Sequence, residues 1–352
     1  MFVDSPFWFA ILVSGVIAAV LMLALWLGLD RAVARRMVLS AIIPAVLVAV
    51  PAALGLPEGM RGGAGAVLAV ILIGGLAGMM IDVARFSARI ASVLGCVVIV
   101  GGGWLVLGDD ATGTAALLGQ VTLPGTAHAV SVLAWAGYLA VALVLAYVTL
   151  PDFTDAGEDN STPGAKNGAK TGTKTRAKTT KVSATRKNKS VSTDLDGGDR
   201  GPGALSVFLA LVLGMGIIAV QFGLRDLKIL HGAMAIALLI ALISEKAAPQ
   251  YRAAVWLSMV AAIMVAGATA ILRAPASLVA HAVLVLVMFS GTGTVLLQKA
   301  LRLDRVATDG AKGSRDAGTI WAGNAIVRVL VLALPVGMAT LVAFIGAAMS
   351  AP

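Results

Sequence analysis

The sequence predicts an all-α fold: a polytopic membrane helix bundle of about ten transmembrane helices, both termini outside. Three observations predict it. Of 352 residues, 59% are hydrophobic and 13% charged, and the mean hydropathy is +0.94, whereas a soluble domain carries about 25% charged residues. The apolar residues come in runs of roughly 17–25, enough at 1.5 Å per residue to cross a hydrocarbon core of about 30 Å. The basic residues of the short loops gather on alternate loops between those runs.

The elements follow in order. Phe7–Leu29 begins after Asp4, has no basic segment before it and exceeds a signal-peptide core, so it reads as a retained first helix whose N-terminus is outside. Val38–Leu56, Gly65–Ile81, Ile90–Leu107 and Ala127–Leu150 complete a first half, residues 1–150. The second half, residues 204–352, holds Leu205–Phe222, Ile229–Ser244, Ala253–Leu272, Ser277–Leu297 and Ala325–Met349, with Ile229–Ser244 the shortest. None of these runs alternates with period 2, so they read as helices and not as barrel strands. Pro44, Pro51 and Pro335 fall inside spans and predict kinks. Gly74, Gly75 and Gly78, with Gly101–Gly103 in the next run, predict close helix packing. In the outer loop 108–126, GQVTLPG suggests a short hairpin turning at Pro124-Gly125.

Charge sets the orientation. With the N-terminus outside, the short inner loops hold thirteen basic residues, among them Arg31, Arg35, Arg36, Arg85, Arg89, Lys246, Arg252, Lys299 and Arg302. The outer loops hold four, Arg61, Arg225, Lys228 and Arg273. Lys and Arg accumulate on cytosolic loops, so the bias places both termini outside in a multi-pass protein of a bacterial-type inner (plasma) membrane. The same rule accounts for the net charge of +9 and excludes a nucleic-acid reading of it. The single cysteine, Cys96, excludes an intrachain disulfide and a cysteine-based metal site, and reads as a small buried hydrophobe.

Residues 151–203 break the apolar pattern. Their middle, AKNGAKTGTKTRAKTTKVSATRKNKS, has no aromatic residue and cannot bury a core, so it reads as a disordered cytosolic linker between two five-helix halves. As a basic tether it suits anionic lipid headgroups or an acidic partner, including other envelope-synthesis proteins. A second inner loop, Leu303–Asn324, is polar and contains glycine.

Ionisable groups in or beside spans are functional candidates. Asp82 closes the third run at its inner end, with Arg85 and Arg89 at i+3 and i+7. A carboxylate there suits Mg²⁺ or a metal–diphosphate complex, since hard cations take oxygen ligands; the plainer reading is an interfacial ion pair with Arg85. His128, His231 and His281 each begin a span at the outer face. They read either as a convergent metal or proton site near Asp109, Asp110 and Asp226 or as separate interfacial histidines.

The stretch GGLAGMMIDVARFSARIASVLGCVVIVGGGWLVLG resembles the third and fourth helices of the polyprenyl-phosphate glycosyl-1-phosphate transferases, the family of the phospho-N-acetylmuramoyl-pentapeptide transferase. Ile81-Asp82 stands where that family has an acidic pair, Phe86-Ser87-Ala88-Arg89 resembles the patch that follows, and LPDFTDAGED resembles its acidic inner loop. The resemblance implies Mg²⁺-dependent transfer of a sugar phosphate from a UDP-sugar to polyprenyl phosphate in cell-envelope glycan synthesis. It implies Asp82 and Asp155 as catalytic residues, Asp82 as metal ligand, and Arg85, Arg89 and Asp152 as substrate-binding residues. The family's histidine-rich motif is absent from Leu303–Asn324, so a non-catalytic relative keeping the scaffold is the companion reading. Two other classes fit the layout: a 5+5-helix secondary transporter or channel, and a membrane assembly or scaffold subunit acting through the Lys-rich linker.

Overall fold

A computed structural model describes residues 6–55, 63–84, 88–107, 126–151, 200–244, 252–290 and 316–350. Every described element is helical. The helices are α1 (Pro6–Gly28), α2 (Arg31–Met37), α3 (Ile42–Leu54), α4 (Gly63–Ala84), α5 (Ala88–Leu107), α6 (Thr126–Val148), α7 (Arg200–Gln221), α8 (Arg225–Ile243), α9 (Ala253–Arg273), α10 (Leu278–Leu284) and α11 (Asp316–Ser350). Among the described residues, seven helices are long and apolar enough to cross a membrane, counting residues 33–54 as one. Three shorter apolar helical stretches accompany them, Ile90–Trp104, Ala134–Val148 and Pro275–Phe289. The chain folds as a helical protein with the lengths and apolarity of an integral membrane protein.

Residues 1–152 and 200–352 form one compact unit, and α9 is its centre. Buried residues run along nearly the whole of α9, from Ala253 to Ala270. α4 packs along α9 in the opposite sense, with α5 beside both. α8 lies against α1, α3 and α7, and α10 and α11 lie against α7. The outermost helices show apolar side chains outward: Leu12, Val16, Val20 and Leu23 on α1, Leu334, Leu341, Phe344 and Met349 on α11. Apolar surface of that extent on a folded chain marks contact with lipid or with another apolar surface.

Proline and charge account for where the elements depart from expectation. Residues 31–54 are helical throughout but switch to a 3₁₀ turn at Val38–Ala41. Pro44 lies just beyond; it has no N–H to give Ser40, and its ring crowds that carbonyl. α3 and α11 continue through Pro51 and Pro335. The ninth run is irregular, with 3₁₀ turns at Pro275–Ser277 and Val285–Phe289 flanking the two turns of α10. α8 starts four residues before the expected Ile229, because its terminal charges are partnered: Asp226 pairs with Arg273, and Lys228 Nζ lies 5.3 Å from the centre of the Phe7 ring. The loop read as 303–324 is already helical from Asp316. Cys96 is exposed on α5, on one face with the exposed Val93, Val97 and Val100, which corrects its reading as a buried hydrophobe.

The turn between α7 and α8 ends on a left-handed residue. Gly223 has φ 68°, a region open to glycine at no steric cost. The Leu224 N–H donates to the Ala219 carbonyl (2.8 Å) and the Gly223 N–H to that of Val220 (3.2 Å), which satisfies the carbonyls that end α7. This reversal sets Asp226 at the start of α8.

Candidate functional site

The glycines of α4 position Asp82. Gly74, Gly78 and Asp82 lie four residues apart on one helical face. A Cβ on Gly74 would come within 3.1 Å of the Leu257–Ser258 backbone, and one on Gly78 would overlap the backbone of Ala253 and Ala254. The backbones are therefore close enough for Asp82 to reach across. The Ala253 N–H donates to Asp82 Oδ1 (3.2 Å) and the Ala254 N–H to Oδ2 (3.1 Å). Those amides are the first two of α9, whose own N-cap residue, Arg252, makes no side-chain cap bond. Amides at a helix start have no partner within the helix and carry a partial positive charge, which a carboxylate complements. Asp82 thus caps a helix 171 residues further along the chain.

A second carboxylate closes the opposite end of the pair. Asp226 accepts from Arg273 Nη1 with both oxygens, at 2.8 and 2.7 Å. Its Oδ2 also accepts from the Ala64 N–H at 3.4 Å, in the first turn of α4. Between the two ends, Ser258 Oγ lies 2.7 Å from the Ala254 carbonyl and 3.2 Å from that of Ile71.

The histidines follow a different rule. His231 is 2% exposed and its Nδ1 lies 2.6 Å from the Leu227 carbonyl. His281 is 8% exposed and its Nδ1 lies 2.9 Å from the Ser277 carbonyl. Each thus turns back on the carbonyl four residues earlier, as Thr149, Thr269 and Thr340 do with their hydroxyls. A carbonyl only accepts, so Nδ1 carries the proton, and in the neutral ring Nε2 is left as a lone-pair acceptor. Both Nε2 atoms are buried with no partner among the described residues, as is Ser277 Oγ.

His281 also lines a cavity of about 600 Å³. Its walls are α6 (Ala134, Gly137, Tyr138, Val141), α7 (Leu211, Met215), α9 (Ile263 to Leu272) and the irregular ninth run. Tyr138 lines it too, and its hydroxyl donates to the Ile99 carbonyl (3.0 Å), while His281 Nε2 is buried away from the open volume.

Of the residues singled out in the sequence, Asp82 is placed as described. The backbone of Arg89 lies in the first turn of α5. Arg85, Asp152, Asp155, Asp109, Asp110, the GQVTLPG turn and the Lys-rich linker lie outside the described residues, as does the side chain of His128. Asp226 is engaged by Arg273. Sequence reading treated the Gly74–Gly78 spacing and Asp82 separately; their shared four-residue step was the signal that they form one contact. The cavity had no signal in the sequence. No protein-family model matches the chain, and no curated protein matches it.

Proposed function

We propose that this chain is a ten-span protein of the inner (plasma) membrane, both termini outside, and a non-catalytic relative of the polyprenyl-phosphate sugar-1-phosphate transferases of cell-envelope glycan synthesis. Seven long and three shorter apolar helices support the ten spans. The opposed packing of α4 and α9, with Arg273 at one end and Asp82 at the other, agrees with the charge-derived orientation.

The observation that carries the non-catalytic reading is the cap at Asp82. In the transferases that this stretch resembles, aspartates at that position hold Mg²⁺. Here both carboxylate oxygens face the amides of α9, and the positive end of a helix disfavours a divalent cation at the same carboxylate. This donor set suits a helix cap and does not suit Mg²⁺. Lipid phosphate recognition then falls to the inner-face cations Arg85 and Arg89, with Asp152 and Asp155 on the neighbouring loop.

The test is an assay of the purified full chain with polyprenyl phosphate, a UDP-N-acetyl sugar and Mg²⁺. The expected result is retention of polyprenyl phosphate, weakened by Arg85→Ala or Arg89→Ala, with no release of UMP. UMP release that Asp82→Asn abolishes would overturn the non-catalytic assignment. Failure to retain the lipid phosphate would overturn the kinship.

A further inference from the structure

We propose that α2 binds an anionic phospholipid, with Arg31 and Arg35 on its phosphate and the exposed apolar residues beside them against its acyl chains. Arg31 and Arg35 stand four residues apart in one helix, which makes their side chains neighbours on one face. Both are exposed, and among the described residues no carboxylate pairs with either. Residues 30–36 carry three arginines against the single carboxylate of Asp30. Two guanidinium groups at this spacing can share one phosphate, each offering a planar fork of N–H donors.

The apolar residues say what carries the phosphate. Ala34 is buried and marks the side of α2 that packs on the protein. At 3.6 residues per turn, Val33 and Met37 fall on the flank opposite Arg31 and Arg35. Both are exposed, as are Leu29 and Leu27, the last at 76%. A soluble phosphate leaves such a flank in water, whereas a phospholipid covers it with its chains. The place of α2 in the bundle agrees. A Cβ on Gly75 would lie 3.0 Å from Ile43 and 3.2 Å from Ser258 Oγ, so α3, α4 and α9 share a level there. Only eight residues, 55–62, join α3 to α4, too few to recross the bundle, so the two run in opposite senses. α4 runs from that level to Asp82 and the chain runs back from Ile43 to α2, which puts Arg31 and Arg35 at the Asp82 end. Cations at the end of a span meet the headgroup layer, where anionic lipids attract them.

This inference goes beyond the transferase kinship and does not rest on it. Native mass spectrometry of the full chain, titrated with lipid in uncharged detergent, tests it. Phosphatidylglycerol is expected to bind more tightly than phosphatidylcholine. Arg31→Gln and Arg35→Gln should each weaken phosphatidylglycerol binding about fivefold, the value of one cation near a membrane surface. The double variant Val33→Arg/Arg35→Val keeps the net charge and moves one arginine to the apolar flank, and it should lose as much as Arg35→Gln. Arg85→Gln removes the same charge elsewhere and should leave phosphatidylglycerol binding unchanged. Polyprenyl phosphate, titrated in parallel, follows Arg85 and Arg89, so its failure to bind would count against the kinship alone. The proposal is overturned if the two phospholipids bind equally, if the charge-conserving variant binds like the native chain, or if Arg85→Gln weakens binding as much as Arg35→Gln. Displacement of phosphatidylglycerol by soluble glycerol phosphate would overturn the lipid source.

Discussion

The α4–α9 pair and the wall around His281 meet the same problem, polar atoms among apolar helices, with opposite results. Along α4 and α9, polar side chains bridge the elements at both ends and in the middle. Asp82 caps the start of α9, Ser258 lies between two carbonyls, and Asp226 joins Arg273 to the first turn of α4. His231 and His281, the latter in the cavity wall, satisfy one ring nitrogen locally and leave the other buried with no partner among the described residues. The first region has the character of a structural spine, since Asp82, Ser258 and Asp226 each tie two elements together. The second leaves buried acceptors unmatched among the described residues, which costs stability.

Four substitutions break or sharpen this contrast. The largest effect belongs to Gly78→Leu, whose side chain would overlap the Ala253–Ala254 backbone. It should cost roughly 3 kcal/mol or more, read as lost unfolding free energy in mixed micelles, and an unchanged value would mean that the spine is not closely packed. Next comes Asp82→Ala, which leaves the Ala253 and Ala254 amides without their acceptor. A loss of about 2 kcal/mol is expected, with Asp82→Asn losing less because one oxygen still accepts. If Asp82→Ala leaves stability untouched, the cap is not what holds α9.

His281→Phe should act in the opposite direction. Removing a buried acceptor that has no partner among the described residues should raise stability by about 1 kcal/mol. A loss instead would place the ring among the matched groups. The smallest effect is expected from Arg273→Ala. Its side chain is 38% exposed, and an ion pair in such a setting contributes about 0.5 kcal/mol. That loss should shrink further in high salt, which screens the Arg273 end of the spine and leaves the Asp82 cap unaffected.

Much of the fold was legible in the sequence. α1, α4, α7 and α9 begin and end within a few residues of the expected runs, because hydropathy over about 20 consecutive residues is itself the property that inserts a helix. Boundaries shifted where charge was taken as a stop. α8 extends back to Arg225 since Asp226 and Lys228 find partners on other elements, and partners are invisible to a window sliding along one segment. The ninth run was expected as a regular helix and is interrupted by 3₁₀ turns. Asp82 was singled out for the right reason, a carboxylate at the end of a span, but what it faces could not be read from its own helix.

The sequence by itself determined the class of the protein: helical, apolar over repeated lengths close to a membrane's thickness, and asymmetric in charge from one set of loops to the other. These are sums over neighbouring residues, fixed before the chain folds. The tertiary structure decided how each polar residue is matched. It brought Asp82 to amides 171 positions away, set Asp226 against Arg273, and enclosed a cavity from four separate stretches of chain with His281 in its wall. Hydrogen bonds act over about 3 Å, so they depend on which helices pack together, and in this bundle those of Asp82 to α9 and of Ser258 to Ile71 join residues from opposite halves of the chain.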